Sequence, residues 1–424
     1  MRILAKDIEK NVDSEVEVAG WVHRIRELGG ITFIILRDRS GVVQLVLEHA
    51  PDLSVESVIR VRGIPVRNEK APGAVEIPVK TWECLSRASA DLPFQVNGRL
   101  NRTRLDALLE NRVLSLRNLQ IRAIFKIQAT IIESFSAYLR AQDFTEIKTS
   151  KIVSGGTEGG TNLFQVEYFG KKVYLAQSPQ FYKQIMVASG LERVFEIAPA
   201  YRAEKHDTPR HLNEYVSMDV EMGFIDSEKE LIELEKNLLA AVFEAVARNN
   251  APELALWQAH VPDPDAILKS PIIPYEEARQ IAQAGTSNRL FDINPEAERL
   301  ICEWSVRENG SDLVFVNEFP RRHRPFYTYP LDASLTMSFD TLFRGLEIST
   351  GGRRQHDYQA LLDTLPKFGL KPDDLKDYLE IFQYGCPPHG GFAVGCERLT
   401  ARILGLANVK EASLFPRDRK RVTP

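Results

Sequence analysis

Residues 1–95 alternate apolar and polar positions with the period of two expected of half-buried strands. Val16-Glu17-Val18-Ala19-Gly20-Trp21-Val22, Ile31-Thr32-Phe33-Ile34-Ile35-Leu36 and Val42-Val43-Gln44-Leu45-Val46-Leu47 predict three strands. Arg37-Asp38-Arg39-Ser40-Gly41 joins the last two as a polar hairpin turn. Further β-type runs follow at Val58–Gly63 and Val75–Val79. Short strands at this spacing predict a small barrel, and the five-stranded OB-fold fits best. Residues 96–125 are polar and rich in Asn, Arg and Leu, and read as a hinge. The pattern then changes. Apolar residues at helical spacing from Ile127 to Leu139 predict a helix, and beyond it strands and helices intermix, as in one large α+β domain over 126–424. Within that domain 226–320 is helical in pattern, most clearly from Leu231 to Ala247, and carries no recognisable chemistry.

Composition narrows the class without naming a function. At 424 residues the chain exceeds what one hydrophobic core supports, so two or more domains are expected. No apolar run approaches the length of about 18 residues that spans a membrane. The N-terminus MRILAKDIEK lacks the apolar segment of a secretory signal, so a cytoplasmic protein is expected. Cys84, Cys302, Cys386 and Cys396 lie far apart with no CxxC pair, which excludes a disulfide framework and a Cys-rich zinc site. The net charge of −4 alone argues mildly against a polyanionic partner. The basic residues nevertheless recur in groups: Arg24/Arg26/Arg37/Arg39, Lys205/Arg210 and the tail Arg417-Asp418-Arg419-Lys420-Arg421. Local phosphate contacts depend on such groups rather than on the whole-chain sum.

Two constellations carry chemistry. Arg202-Ala203-Glu204 follows a strand-like run, Val194–Ala198, and precedes a charged loop, Lys205–His211, and a second strand, Tyr215–Glu221. Such a pair of strands presents an Arg for bidentate phosphate contact and a Glu that accepts from an exocyclic amine. Taken alone, the triplet is more often an exposed ion pair. Near the C-terminus, His389-Gly390-Gly391-Phe392-Ala393-Val394-Gly395-Cys396-Glu397-Arg398-Leu399 places glycines for close backbone approach and an Arg where a strand passes into a helix. It lacks the GK[ST] of a Walker loop. Together, RxE and the downstream G-x-x-x-G-x-E-R resemble motifs 2 and 3 of class II aminoacyl-tRNA synthetases. The helix from Ile127 ending in Phe144-Thr145-Glu146-Ile147 resembles motif 1. With the β domain in front, the chain resembles subclass IIb, the aspartyl, asparaginyl and lysyl enzymes, over nearly its whole length. The resemblance implies an N-terminal OB-fold that binds the anticodon. It also implies a catalytic domain on an antiparallel sheet flanked by helices, and a homodimer through motif 1. Ser150 departs from the pattern, since motif 1 usually ends in proline.

The stretch Ala176-Gln177-Ser178-Pro179-Gln180-Phe181-Tyr182-Lys183-Gln184 bears on the amino acid. Ser178 suits an N-cap and Pro179 the first helical position, which puts Gln180 and Lys183 on one face near an anion-favouring helix N-terminus. The QSPQxxK string resembles the aspartyl enzymes, whereas asparaginyl enzymes usually carry Glu where Lys183 stands. A cation neutralises a side-chain carboxylate, and unpaired polar groups in a desolvated pocket discriminate by roughly 10⁴. Lys183 is otherwise a solvated surface lysine. In Phe339–Arg354 a two-residue hairpin turning at Arg344-Gly345 sets Leu342 opposite Glu347 and projects Asp340 to the same side. Paired carboxylates suit Mg²⁺ completed by phosphate oxygens and water. For Asp340 a metal role and a structural role stand level.

The remaining roles are those the resemblance implies. Glu347 and Thr350, where relatives usually carry Ser, hold Mg²⁺ and the ATP phosphates. Arg354 clamps the aspartate side chain, with Ser178, Gln180, Lys183 and Asp219 around it. The loop Ser154–Gly160 closes over the amino acid, with Glu158 on the α-ammonium; a plain glycine linker is the alternative. Arg202 holds the α-phosphate and the attacking carboxylate, and Arg398 the γ-phosphate. Arg210 and His211 hold the outer phosphates of a bent ATP, and Glu204 reads the adenine amine. Tyr215 stacks on the ring, with Leu212, Gly395 and Glu397 completing the nucleotide site. L-aspartate is activated as an adenylate and transferred to the 3′-hydroxyl of tRNA(Asp). In the barrel Phe33 is the stacking candidate and Gln44 a base-edge reader, with Arg24, Arg26 and Arg37 for phosphates. Trp21 suits either this surface or the core. His23 and Pro72 resemble the relaxed type that also charges tRNA(Asn). The roughly 115 residues between Phe224 and Asp340 leave no room for the extra domain of bacterial-type aspartyl enzymes, so the chain resembles the compact archaeal/eukaryotic type. Three alternatives remain: an asparaginyl enzyme, a tRNA-independent ligase on the same fold, and a non-catalytic tRNA-binding paralogue.

Overall fold

Alternation builds the first part of the chain. The computed structural model describes residues 2–49, 51–89, 91–98, 103–156 and 163–423, and the chain divides into two units, Met1–Asn118 and Leu119–Pro424. In the first, β1 (Val16–Leu28) pairs antiparallel with β2 (Ile31–Arg37), and β2 with β3 (Val42–Leu47). β1 also pairs with β4 (Val58–Gly63). After β5 (Val66–Arg67), β6 (Val75–Ser86) pairs antiparallel with β4 and β5 and parallel with β3, which closes the barrel. Val16, Val18, Val22, Ile34, Leu36, Val43, Leu45, Ile59, Val61 and Ile77 fill its core.

Arg37 departs from the sequence reading. It is buried and donates to Glu56 through Nη2 at 2.7 Å and Nη1 at 3.1 Å, so it is withdrawn from any phosphate. Residues 96–125 differ as well. They contain α1 (Leu105–Glu110), α2 (Arg112–Ser115) and the start of α3 (Leu119–Ala141). Among the described residues there, short helices bury Leu108 and Leu109, and with them Arg112 and Ser115, a pattern too brief to show its period.

In the second unit, α3 buries the stripe Ile124, Ile127, Ile131, Phe135 and Leu139. β7 (Thr145–Glu146) begins the main sheet, while β8 (Ile152–Val153), β9 (Gln165–Tyr168) and β10 (Lys171–Leu175) form a small separate one. The main sheet continues with β11 (Arg193–Tyr201), β12 (Glu214–Gly223), β13 (Ile272–Pro274) and β14 (Leu313–Asn317). It is completed by β15 (Ser338–Phe343), β16 (Leu346–Arg354) and β17 (His389–Gly395). Its order is β13-β14-β15-β16-β17-β12-β11-β7, with parallel pairing only at β13–β14 and β11–β7.

The helices after α3 are α4 (Gln180–Met186), α5 (Glu228–Asn249), α6 (Ala251–Trp257), α7 (Pro264–Leu268), α8 (Tyr275–Ala284), α9 (Pro295–Asn309), α10 (Tyr358–Thr364), α11 (Lys376–Gln383) and α12 (Cys396–Leu404). Met218 and Val220 of β12, Phe392 and Val394 of β17 and Ile348 of β16 share one core with α3, α5 and α12. Strand alternation then puts Ser217, Asp219 and Glu221 on the other face. Region 226–320 is helical as read, but it also supplies β13 and β14 to the sheet edge. Among the described residues, no helix is long and apolar enough to cross a membrane.

Candidate functional site

The polar face of the main sheet opens into a cavity of about 780 Å³. Ser178, Gln180, Lys183, Arg202, Glu204, Arg210, His211, Leu212, Tyr215, Asp219, Glu347, Thr350, Arg354, Gly395, Glu397 and Arg398 all line it. Glu158 lies outside the described residues.

At one end α4 supplies a buried cation. Pro179, at φ −83° and ψ 20°, occupies the cap rather than the first helical position, and Ser178 Oγ accepts from Gln180 N–H at 3.3 Å. Lys183, 2% exposed, places Nζ 3.1 Å from Asp219 Oδ1 and 3.3 Å from Glu221 Oε2. The lysine is therefore not a solitary countercharge, as the sequence alone suggests, but one pole of a network. Arg354 Nε donates to Glu221 Oε1 at 3.0 Å, and Ser217 Oγ donates to Asp219 Oδ2 at 2.5 Å. Burial alone would raise the Glu221 carboxyl; Arg354 and Lys183 outweigh it and hold the group below the usual range. Gly391 makes room for this acid, since a Cβ there would fall 2.3 Å from Glu221 Oε2. The glycines at 390–391 thus serve packing inside the sheet before any ligand arrives. His389, fully buried, has Nε2 3.0 Å from Gln184 Oε1 behind the network, and burial pushes its imidazole down to about 4.

Cations gather at the other end. The Arg202 guanidinium lies 5.6 Å from the Tyr215 ring, and Arg202 N–H donates to Asn213 O at 2.9 Å across the loop between β11 and β12. Arg210 in that loop pairs with Glu298 of α9. His211 Nδ1 lies 2.6 Å from Thr208 Oγ1, and burial followed by the Arg398 charge lowers its pKa. Arg398 Nη1 donates to Glu347 O at 2.9 Å and to Oε1 at 3.2 Å. Glu397 lines the cavity, but both carboxylate oxygens accept from Val216 N–H at 3.1 Å, and burial raises the group to about 7. Its observed work is to tie α12 to β12.

The hairpin of β15 and β16 turns at Arg344-Gly345 with Leu342 opposite Glu347, as the sequence predicts. Thr341 then pairs with Ser349, which leaves Ile348 as the extra residue of a β-bulge. The bulge brings Glu347 and Thr350 to one face. Asp340, opposite Thr350, lies in a neighbouring cavity of about 230 Å³ with Glu298 and Glu347. It pairs with Arg324 at 2.8 Å, and burial raises its carboxyl to about 6. Glu347, Thr350 and Asp340 offer only oxygen donors, which suits a hard divalent cation. Among the described residues no group of three or more His, Cys, Asp or Glu side chains could hold a metal, so a cation here would need phosphate oxygens and water to complete its shell.

Sequence reasoning assigned no role to Glu221, Glu298, Arg324 or His389. Glu221 carried a signal, two positions from Asp219 on one strand. Arg324 closes the basic run Arg321-Arg322-His323-Arg324. Glu298 carried none, and it shows that 226–320 does contribute to the site.

In the first unit Phe33 is half-buried and pairs across the sheet with exposed Arg26; Arg24 is exposed as well. Gln44 Nε2 donates to Glu76 Oε2 at 2.8 Å. His23 Nδ1 lies 3.0 Å from Arg37 Nη1, and burial lowers its pKa. Pro72 is exposed and opens a tight turn in which Gly73 has φ 71°. Trp21 is half-buried beneath the guanidinium groups of Arg37 and Arg117, at 6.0 and 5.5 Å.

Residues 104–419 match tRNA synthetases class II (D, K and N), and residues 16–85 match the OB-fold nucleic acid binding domain. The chain belongs to the class II tRNA synthetases of the D, K and N group. It is 49% identical over 426 residues, covering all of both chains, to the aspartate–tRNA(Asp/Asn) ligase of Thermus thermophilus. To the aspartate–tRNA(Asp) ligase of Pyrococcus horikoshii it is 40% identical over 423 residues, or 96% of each chain. Among solved structures it resembles the asparaginyl-tRNA synthetase from Pyrococcus horikoshii complexed with asparaginyl-adenylate, at TM-score 0.93 and 29% identity over 100% of both chains. A putative aspartyl-tRNA synthetase from Leishmania major Friedlin matches at TM-score 0.91 and 29% identity, over 100% of this chain and 95% of that one.

Proposed function

We propose that this chain is an aspartate–tRNA ligase. It activates L-aspartate with ATP and transfers the acyl group to the 3′-hydroxyl of tRNA(Asp) and of tRNA(Asn). The observation that carries the reading is Lys183, buried beside Arg354 in a network with Asp219 and Glu221. Two cations and two carboxylates balance within the network. The side-chain carboxylate of aspartate is an acceptor for both cations, whereas the asparagine amide brings no side-chain charge and turns an NH2 donor toward them.

The α-carboxylate is ionised at neutral pH, so attack on the α-phosphate needs no general base and rests on positioning and neutralisation. Arg202 aligns the carboxylate with the α-phosphate. Arg210, His211 and Arg398 hold the outer phosphates, Glu204 reads the adenine amine and Tyr215 stacks on the ring. Mg²⁺, when bound at Glu347, Thr350 and Asp340, supplies charge neutralisation on the phosphates. Glu158 pairs the α-ammonium. The barrel reads the anticodon with Phe33, Gln44, Arg24 and Arg26, and the protein acts in the cytoplasm as a homodimer joined through the motif 1 region. His23 and Pro72 support charging of both tRNAs, in keeping with the Asp/Asn names of several relatives. Charging of separate tRNA(Asp) and tRNA(Asn) transcripts with labelled aspartate tests this. Both are expected to be charged; charging of tRNA(Asp) alone would refute the relaxed specificity, and charging of neither would refute the reading.

A further inference from the structure

Glu298 stands in the first turn of α9, whose N-terminus is capped by Asn294 accepting from Ala297 N–H at 3.0 Å. No other residue of α9 lines either cavity. The Glu298 side chain is only 9% exposed, and burial raises its pKa while Arg210 opposes the rise. One oxygen, Oε2, takes two donors: Glu347 N–H at 2.9 Å and Arg210 Nη2. Glu347 lies beyond the end of the β16–β17 ladder, which stops at Ser349–Val394. Its N–H turns to Glu298 instead. Among the described residues the Arg210 guanidinium makes no other hydrogen bond, so Nε and Nη1 remain for a ligand of the cavity that Arg210 lines. A single buried acid thus fastens one residue of the β11–β12 loop and one of the β16 strand to the same helix.

We propose that Glu298 is a positioning residue for ATP, fixing Arg210 and Glu347 relative to each other before the nucleotide arrives. The inference rests on the reading that ATP occupies this cavity. An arginine already held by one edge of its planar fork loses less freedom when the other edge meets a phosphate. Without Glu298, Arg210 regains its rotamers, and binding must then order it.

The test is calorimetric titration of the full-length protein with ATP in the presence of Mg²⁺, for wild type, Glu298→Gln and Glu298→Ala. Aspartate affinity and unfolding temperature are measured alongside. Gln keeps the volume and a carbonyl for Glu347 N–H but loses the charge that holds Arg210. The dissociation constant for ATP is expected to rise about tenfold in Glu298→Gln and further in Glu298→Ala, with aspartate affinity within twofold of wild type. In an Arg210→Ala background, adding Glu298→Gln is expected to change ATP affinity by less than twofold, because Arg210 carries the effect. ATP affinity within twofold of wild type in Glu298→Gln would overturn the proposal. So would ATP and aspartate affinities falling together with the unfolding temperature, which would mark a general structural role. Failure of the wild-type protein to bind ATP would instead overturn the proposed function.

Discussion

Glu347 and Thr350 lie three residues apart on one strand yet share a face, with Thr350 Oγ1 3.3 Å from Glu347 Oε1. A regular strand would turn them to opposite faces. The bulge at Ile348 is the cause, and it makes the pair a unit. Thr350→Ser, which keeps the hydroxyl, is expected to hold aspartate-dependent ATP–pyrophosphate exchange within about threefold. Thr350→Val is expected to lose roughly 10- to 100-fold and to need more Mg²⁺ for half-maximal rate. Titration of exchange against Mg²⁺ separates the two.

Lys183 neutralises Asp219 and Glu221 as well as any arriving carboxylate. Lys183→Met leaves buried acids short of a partner and is expected to cost about 3 kcal/mol of stability, read by denaturant unfolding. Lys183→Glu puts a third carboxylate in the network and is expected to collapse aspartate activation. Near-normal exchange in that variant would contradict the substrate assignment.

Glu235 is fully buried on α5, accepts from Ser349 Oγ at 3.2 Å, and burial pushes its carboxyl up to about 8. In the unfolded chain the group titrates near 4.5, so between pH 4.5 and 8 the unfolded state binds fewer protons and stability falls as pH rises. Glu235→Gln removes that penalty. Its gain in stability is expected to be absent at pH 4.5 and to reach about 3 kcal/mol near pH 7, measured by urea unfolding across that range. A gain that does not vary with pH would contradict the ionisation assigned to Glu235.

Arg37 and Glu56 form a buried pair in the barrel, with side chains 1% and 2% exposed. Glu56→Gln strands the Arg37 charge and is expected to destabilise the barrel by about 3–5 kcal/mol. Phe33→Ala, at the half-exposed surface, acts differently: the loss is expected in KM for tRNA, by roughly tenfold or more. Unfolding curves and charging kinetics, run on both variants, distinguish the roles.

Much of this was legible because strands and helices print their periods. The strands of β1, β2 and β3, the stripe of α3 and the turn at Arg344-Gly345 all follow from spacing. The cavity-lining residues were legible through the resemblance to the class II synthetase motifs, since spacing alone leaves an RxE triplet or a glycine-rich turn open to plain structural readings. What stayed hidden depends on long-range packing. Nothing local marks Glu298, whose partners lie 88 and 49 positions away. Arg37 reads as a turn cation until Glu56 is seen to bury it. The bulge at Ile348 leaves no sequence mark, and without it Glu347 and Thr350 would not meet.

Amino-acid-dependent ATP–pyrophosphate exchange by the wild-type protein, with L-aspartate and L-asparagine supplied separately, tests the central claim most directly. Exchange with aspartate, and a rate with asparagine lower by roughly 10⁴, is the predicted result. Exchange supported equally by asparagine, or by neither amino acid, would contradict it.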